Sequence, residues 1–120
     1  MNKPTLILGA SDNPERYSYL ATERLQANCH DVFPVGIKAG QIKGTSIITD
    51  KPLLQNIDTL TLYIGPKNQA EWYQYIIETK PKRLIFNPGT ENPELMQKAE
   101  AAGISCIEAC TLVLLSVGNY

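Results

Sequence analysis

Short apolar runs that end in glycine or another turn-forming residue recur along this chain, and helix-length segments separate them. The runs are residues 5–8, 32–35, 60–64, 84–86 and 104–107, and the residues that follow them are Gly9, Gly36, Gly65, Asn87 and Glu108. Near-continuous apolar runs of this length are typical of parallel strands that are covered on both faces. The pattern therefore predicts an α/β protein with a parallel sheet.

The intervening segments carry apolar side chains at helical spacing. The three clearest patterns are Tyr17, Leu20, Ala21, Arg24, Leu25, then Trp72, Tyr73, Ile76, Ile77, then Leu95, Met96, Ala99. A fourth helix is predicted from Cys110 to Val117, a short extra strand over residues 46–49 and a short helix over residues 52–54. Strands that alternate with helices require right-handed crossovers. We therefore predict one domain over residues 1–120, a Rossmann-like, doubly wound parallel sheet of about five strands in three α/β/α layers.

Composition excludes several classes of function. The net charge is −1, so no broad basic face for nucleic acid is expected. Cys29, Cys106 and Cys110 have no metal-ligand spacing, and no metal site is predicted. Neither a signal sequence nor a membrane span is recognisable, so a cytoplasmic location with reduced thiols is expected and no membrane partner.

The loop after the first strand is the strongest candidate for a phosphate-binding site. Small residues let a phosphate approach the backbone, and the start of the next helix offers free N–H groups and a positive dipole end. The alternative is that the loop only turns the chain, with Asp12 or Asn13 capping the helix. The residues predicted to bind are Gly9, Ala10, Ser11, Asp12, Arg16, Tyr17 and Ser18.

The end of the second strand bears on the type of nucleotide. NAD-binding domains place an acidic residue there, whereas this chain has Gly36, Ile37 and Lys38. A lysine favours a ligand with a phosphorylated ribose, which means coenzyme A or NADP, although Lys38 taken in isolation is better explained as a solvated loop lysine. The G-x-G-x-x-G fingerprint of dinucleotide-binding proteins is missing, which counts against NADP.

Several of these residues, in this order, resemble the CoA-binding domain family, the small proteins similar to the N-terminal part of the succinyl-CoA synthetase alpha subunit. The resemblance covers nearly the whole chain. It is carried by Gly9-Ala10-Ser11 with Arg16 and Ser18, Pro34-Val35 with Lys38 and Gly44, Ile57-Asp58, residues 87–92, residues 99–104 and Glu108-Ala109-Cys110.

The resemblance implies coenzyme A bound across the strand ends, with Gly9 to Ser11 at its phosphates and Lys38 at the adenosine-side phosphate. The turn after the third strand would border the adenine or the pantetheine, through Ile64, Gly65, Pro66 and Lys67. The chain departs from the family where Gly36-Ile37 replaces the usual Asn-Pro, and where Asn87-Pro88 precedes Gly89.

No pair or triad of side chains points to a reaction, and the lone His30 precedes the second strand, at the wrong edge of the sheet for a triad. We therefore expect a binding protein for CoA or acyl-CoA, more readily than an enzyme. The alternatives are an NADP-dependent enzyme or subunit, and a thiol partner in which Cys110, at a helix start, forms a mixed disulfide with CoA. The apolar run over residues 112–115 is either a covered helix or a homodimer contact.

Overall fold

The computed structural model describes residues 2–120, and strands alternate with helices along them. Two 3₁₀ turns, Pro66–Asn68 and Ala70–Trp72, come before the second helix. The elements are β1 (Thr5–Leu8), α1 (Tyr17–Ala27), β2 (Val32–Val35), β3 (Gln41–Ile42), β4 (Thr45–Ser46), β5 (Thr59–Leu62), α2 (Tyr73–Thr79), β6 (Arg83–Phe86), α3 (Pro93–Ala101), β7 (Ser105–Glu108) and α4 (Thr111–Ser116).

Five strands form one parallel sheet in the order β2-β1-β5-β6-β7, which confirms the predicted fold class. The chain leaves β1 toward β2 on one side and later crosses to β5 on the other side of β1. The strand order therefore reverses between β1 and β5, and ligands of open α/β sheets bind at such a point, outside the carboxyl ends of the strands.

The sheet lies between two helical layers, since α1 packs against α4 and α2 packs against α3. On the α2 and α3 side, alternate strand residues such as Leu6, Leu60 and Phe86 pack with Trp72 and Leu95. The strands β1 and β5 are fully buried along their length. Burial on both faces explains the continuous apolar run over residues 6–8 of β1. In β5, two threonines alternate with leucines and are nonetheless fully buried.

The segment 36–56 differs from the prediction. Lys43 and Gly44 both have positive φ angles, 46° and 85°, which is the geometry of a two-residue type I′ hairpin turn. The turn folds β4 back onto β3, so the extra strand predicted over residues 46–49 is reduced to Ser46 in this hairpin and one parallel bridge from Ile48 to Val35.

Three helix predictions also need correction. Residues 52–54 are not helical, because Lys51 has a left-handed φ of 48° that interrupts the backbone just before them. The helix predicted from Trp72 begins at Tyr73, since Trp72 closes a 3₁₀ turn. The last helix is shorter than predicted, with Cys110 as its N-cap residue and Val117 as its C-cap residue.

At the amino edge of the sheet, side chains are joined to one another and to the main chain by hydrogen bonds and a cation–π contact. The hydroxyl of Tyr120 hydrogen-bonds Thr5 Oγ1 at 2.7 Å, and the guanidinium of Arg83 lies 4.5 Å from the centre of the Tyr120 ring. His30 Nδ1 accepts a hydrogen bond from the amide of Lys3 at 2.9 Å. These contacts engage His30 at the amino edge, opposite the edge where ligands of this fold bind. Within residues 2–120, every helix is too short or too polar to cross a bilayer.

Candidate ligand-binding cleft

A cleft of about 1030 Å³ opens at the carboxyl edge of the sheet, where the loops after β1, β2, β5 and β6 meet. This volume is at the upper end of what small-molecule sites occupy, about 300–1,000 Å³, and suits a long ligand. The cleft is lined by residues 9–13, 15–18, 36–38, 63–65, 68, 71–72 and 88–90.

The turn after β1 forms the floor of the cleft. The amides of Gly9 and Ala10 both donate to the carbonyl oxygen of Val35, each at 3.0 Å, which ties the turn to the end of β2. Gly9 has a φ of +95°, and a Cβ there would lie 3.0 Å from the carbonyl carbon of Tyr63. Only glycine therefore allows β1 to turn this sharply against β5.

The start of α1 presents free hydrogen-bond donors to the cleft. Its N-cap residue, Arg16, makes no side-chain capping bond. Across the described residues, the amides of Ser11, Asp12, Tyr17 and Ser18 donate no hydrogen bond. Asn13 Oδ1 accepts from the amide of Glu15, ahead of the helix, so the alternative in which Asp12 or Asn13 caps α1 is wrong. Unpaired amides at a helix start are the usual donors to phosphate oxygens.

The end of β2 packs closely on this turn. A Cβ on Gly36 would lie 2.6 Å from the carbonyl oxygen of Ala10, so the glycine allows the two backbones to touch. Ile37, which stands where the family usually has proline, has 81% of its surface exposed at the cleft. Lys38 is exposed beside it and can reach an anion in the cleft.

The other side of the cleft is held by buried polar side chains. Asn87 donates to Thr61 Oγ1 at 2.7 Å and to the carbonyl oxygen of Leu62 at 2.9 Å, and its Oδ1 accepts from the amide of Thr111 at 2.9 Å. Thr90 Oγ1 donates to the carbonyl oxygen of Asn87 at 2.8 Å. The loop after β6 is thus fixed to β5 and to the start of α4. Asn87, which lies where the chain departs from the family pattern before Gly89, is a structural anchor in this chain.

The predicted binding residues come together in the cleft, with two exceptions. Pro66 and Lys67 lie in the first 3₁₀ turn and do not line the cleft, whereas Ile64 and Gly65 just before them do. The predicted residues that do line it are Gly9, Ala10, Ser11, Asp12, Arg16, Tyr17, Ser18, Gly36, Lys38, Ile64 and Gly65. Their role in binding stays a prediction.

Sequence reasoning missed most of the lining that the second half of the chain supplies beyond Ile64 and Gly65. Asn68, Glu71, Trp72 and Thr90 come from the loops after β5 and β6. Their position after the third and fourth main strands could have indicated them, because the carboxyl ends of parallel strands share one edge. Trp72 and Tyr75 are almost wholly buried, so most of the aromatic surface of this segment belongs to the core.

The charged side chains around the cleft do not form an acid–base pair or a metal site. The lining carries two positively charged side chains, Arg16 and Lys38, and three acidic side chains, Asp12, Glu15 and Glu71. Burial raises the pKa of Tyr63 to about 12, so its hydroxyl stays protonated at neutral pH. Among residues 2–120, no three His, Cys, Asp or Glu side chains are grouped closely enough to hold a metal ion.

Cys110 lies apart from the cleft lining. It is the half-buried N-cap residue of α4, after β7 at the sheet edge farthest from β2. The segments that line the cleft follow β1, β2, β5 and β6, and Cys110 follows none of these strands. This placement does not support contact between its thiol and a ligand in the cleft.

The size of the cleft, the free amides and the glycine contacts fit the nucleotide ligand that the sequence predicts. A family model described as a CoA binding domain matches residues 3–116. The chain belongs to this family. Membership supports CoA binding in general and confirms the resemblance found in the sequence. No protein with a curated description matches the chain.

Solved structures agree with this assignment. An uncharacterized protein of known crystal structure is 50% identical, with a TM-score of 0.98 over 100% of this chain and 99% of that one. A hypothetical protein from Pyrococcus horikoshii OT3 is 26% identical, with a TM-score of 0.83 over 92% of this chain and 80% of that one. A protein from Thermus thermophilus shares the fold at 18% identity, with a TM-score of 0.85 over 98% of this chain and 91% of that one.

Proposed function

We propose that this protein binds coenzyme A or an acyl-CoA in the cleft at the carboxyl edge of its sheet, as a binding protein without a catalytic step of its own. The observation that carries the proposal is the start of α1. Two unpaired amides there, and two more in the loop after β1, border a cleft of about 1030 Å³, which is large enough for a nucleotide with an extended arm.

The free amides and Lys38 support one orientation of the ligand. The diphosphate lies over the turn from Gly9 to Ser11 and the start of α1, where N–H groups and the helix dipole stabilise negative charge. The 3′-phosphate of the ribose lies near Lys38. The pantetheine then extends toward Gly65 and Gly89, on the side of the cleft built by the loops after β5 and β6.

The two alternatives have less support. Lys38 suits the 2′-phosphate of NADP as well, but the turn has a single glycine where dinucleotide-binding domains have three. A mixed disulfide with CoA requires the Cys110 thiol near the pantetheine end, and Cys110 is not part of the cleft lining. Both alternatives are therefore comparisons for the binding experiment.

The test is isothermal titration of the purified, reduced protein with CoA, with NADPH and ATP as comparison ligands. We expect a dissociation constant for CoA on the order of micromolar, about −8 kcal/mol, and much weaker binding of the other two. Tighter binding of NADPH than of CoA would support the dinucleotide alternative. A mass increase equal to CoA after mild oxidation, absent in Cys110→Ser, would support the thiol alternative.

A further inference from the structure

The loops after β5 and β6 are joined by one side chain, that of Gln69. Its Nε2 donates to the carbonyl oxygens of Ile64 and Thr90, each at 2.8 Å. Its Oε1 accepts a hydrogen bond from Nδ2 of Asn92 at 2.8 Å. Gln69 has no exposed surface, and both hydrogens of its amide are used. A buried amide with this many partners holds its neighbours in one arrangement.

Both carbonyl groups that Gln69 binds belong to residues of the cleft lining, Ile64 from the loop after β5 and Thr90 from the loop after β6. Gln69 itself does not line the cleft. A single planar amide therefore fixes the spacing between the two loops from outside the cleft lining. We expect the width of this side of the cleft to depend on that amide.

The amide is itself held by the helices that follow the two loops. Asn92 caps α3, with Oδ1 accepting from the amides of Glu94 and Leu95, while Nδ2 also donates to the hydroxyl of Tyr73 at 2.8 Å. That hydroxyl donates to Glu94 Oε1 at 2.9 Å. The network thus joins the starts of α2 and α3, and Gln69 is its only member that contacts both cleft loops.

We infer that Gln69 is a positioning residue for the pantetheine arm of the ligand, acting through the main chains of Ile64 and Thr90. This inference rests on the proposed function and on the orientation given there. The adenosine end of CoA lies at the turn after β1 and at Lys38, which Gln69 does not contact. Loss of the amide therefore weakens the part of binding that the arm contributes and leaves the adenosine end unchanged.

The experiment compares two ligands on the same variant, CoA and 3′,5′-ADP, which is the adenosine end of CoA without the arm. Gln69→Met keeps the shape of the side chain but leaves the carbonyl oxygens of Ile64 and Thr90 without this donor and Asn92 Nδ2 without one of its two acceptors. We expect the dissociation constant for CoA to rise about tenfold, and that for 3′,5′-ADP to change by less than about twofold.

Two control variants separate positioning from general destabilisation. Gln74→Met makes the same substitution at an exposed site on α2, where the side chain bonds only Glu78, and both affinities stay at wild-type values. Ile104→Ala removes buried core packing just before β7, at the amino edge. This substitution lowers the melting temperature and changes the dissociation constants of CoA and 3′,5′-ADP by the same factor, if at all.

Asn92→Ser serves as a second variant in case Gln69→Met does not fold. Serine still caps α3, but it is too short to donate to Gln69. It raises the dissociation constant for CoA about threefold, again without effect on 3′,5′-ADP. Unchanged CoA binding in the folded variant, or equal weakening of both ligands, overturns the positioning role while the proposed function stands. Failure of the wild type to bind CoA overturns both.

Discussion

The helices α1 and α3 both begin at the carboxyl edge of the sheet, yet their first turns are built in opposite ways. At α3, Asn92 caps the helix, Pro93 occupies the first helical position and Gln69 joins the cap to the cleft loops. At α1, Arg16 stands at the cap position without a capping bond, and the amides of Tyr17 and Ser18 have no partner among the described residues.

The difference shows how one topology serves two purposes. A helix start with all donors satisfied is a rigid support, whereas one with free donors can bind an anion at the cost of some intrinsic stability. The first βα unit therefore carries the proposed binding surface, and the fourth main strand with α3 supplies the frame. The predictions below test this division of roles, in order of decreasing effect.

The largest effect is expected from Gly36→Ala. The new Cβ would lie 2.6 Å from the carbonyl oxygen of Ala10, and because that neighbour is backbone, the turn after β1 must move. A displacement of about 1 Å in a binding geometry can cost on the order of 100-fold, and we expect a loss of CoA affinity of this order. Isothermal titration measures it.

Gly103→Ala is the matched control for this variant. Gly103 has a φ of +87° at the end of α3, so alanine is strained there and lowers stability without approaching the cleft. The assignment of the turn would be wrong if both alanine variants bound CoA like the wild type while Gly36→Ala kept its fold.

A smaller effect is expected from Lys38→Glu, since it replaces an attraction for the 3′-phosphate by a repulsion. The affinity for CoA should fall about tenfold, and the affinity for dephospho-CoA, which lacks the 3′-phosphate, should fall much less. Lys82→Glu makes the same charge change at an exposed site of the amino edge and should leave both titrations unchanged. An equal loss of affinity for the two ligands would show that Lys38 does not contact the 3′-phosphate.

Arg16→Asn tests the comparison most specifically, because it gives α1 the kind of cap that α3 has. Arg16 already has the extended backbone of an N-cap residue, with φ −80° and ψ 142°. Asparagine should raise the free energy of unfolding by about 1 kcal/mol. It should also weaken CoA binding several-fold, since it occupies a donor that the ligand needs and removes the Arg16 guanidinium from the cleft lining. Urea titration and calorimetry measure the two changes.

Arg24→Asn, in the last turn of α1, removes the same charge at the other end of the helix. It should lower stability slightly, because a basic residue there is favourable, and leave binding unchanged. A gain of stability at Arg16→Asn with full CoA affinity would contradict the role given to the free amides.

The smallest effect is expected from the titration of His30 at the amino edge. Burial first, and then the positive charges of Lys3 and Arg83, lower the pKa of His30 below its ordinary value of 6.5, against a weaker opposite effect of Asp58. The folded state therefore holds the proton less well than the unfolded chain, so this contribution to stability is complete above pH 6.5 and is lost as the pH falls below it.

His30→Gln removes this titration and keeps an oxygen that can accept from the amide of Lys3. Urea midpoints at neutral and mildly acidic pH should fall more for the wild type than for the variant. At each pH the two proteins should bind CoA equally. A larger acid effect on the variant would reverse the assigned sign.

The first βα unit was largely predictable from the sequence because its signals are local. The run Thr5–Leu8 followed by Gly9, and the periodicity from Tyr17, each depend on neighbouring residues only. The cleft lining after β1 and β2 followed from the rule that ligands bind at the carboxyl edge. The predicted family and fold class are confirmed by the match over residues 3–116 and by the sheet order.

The buried contacts that hold the second side of the cleft could not be predicted in the same way. Gln69 reaches Thr90, and Asn87 reaches Thr111, across more than twenty residues of sequence, and no periodicity marks such pairs. The hairpin of β3 and β4 was missed because strands of two residues are too short for a pattern. From sequence alone, a single polar residue in a loop is expected to be exposed, whereas the fold buries Gln69 and Asn87.

The central claim is that coenzyme A binds at the carboxyl edge, over the open start of α1. Mapping of amide chemical shifts in the ¹⁵N-labelled protein during a titration with CoA tests this most directly. The account predicts the largest shifts at residues 9–18 and 36–38, with further shifts at residues 63–65 and 88–90. Shifts confined to the amino edge around His30 and Tyr120, or no shifts at a large excess of CoA, would contradict it.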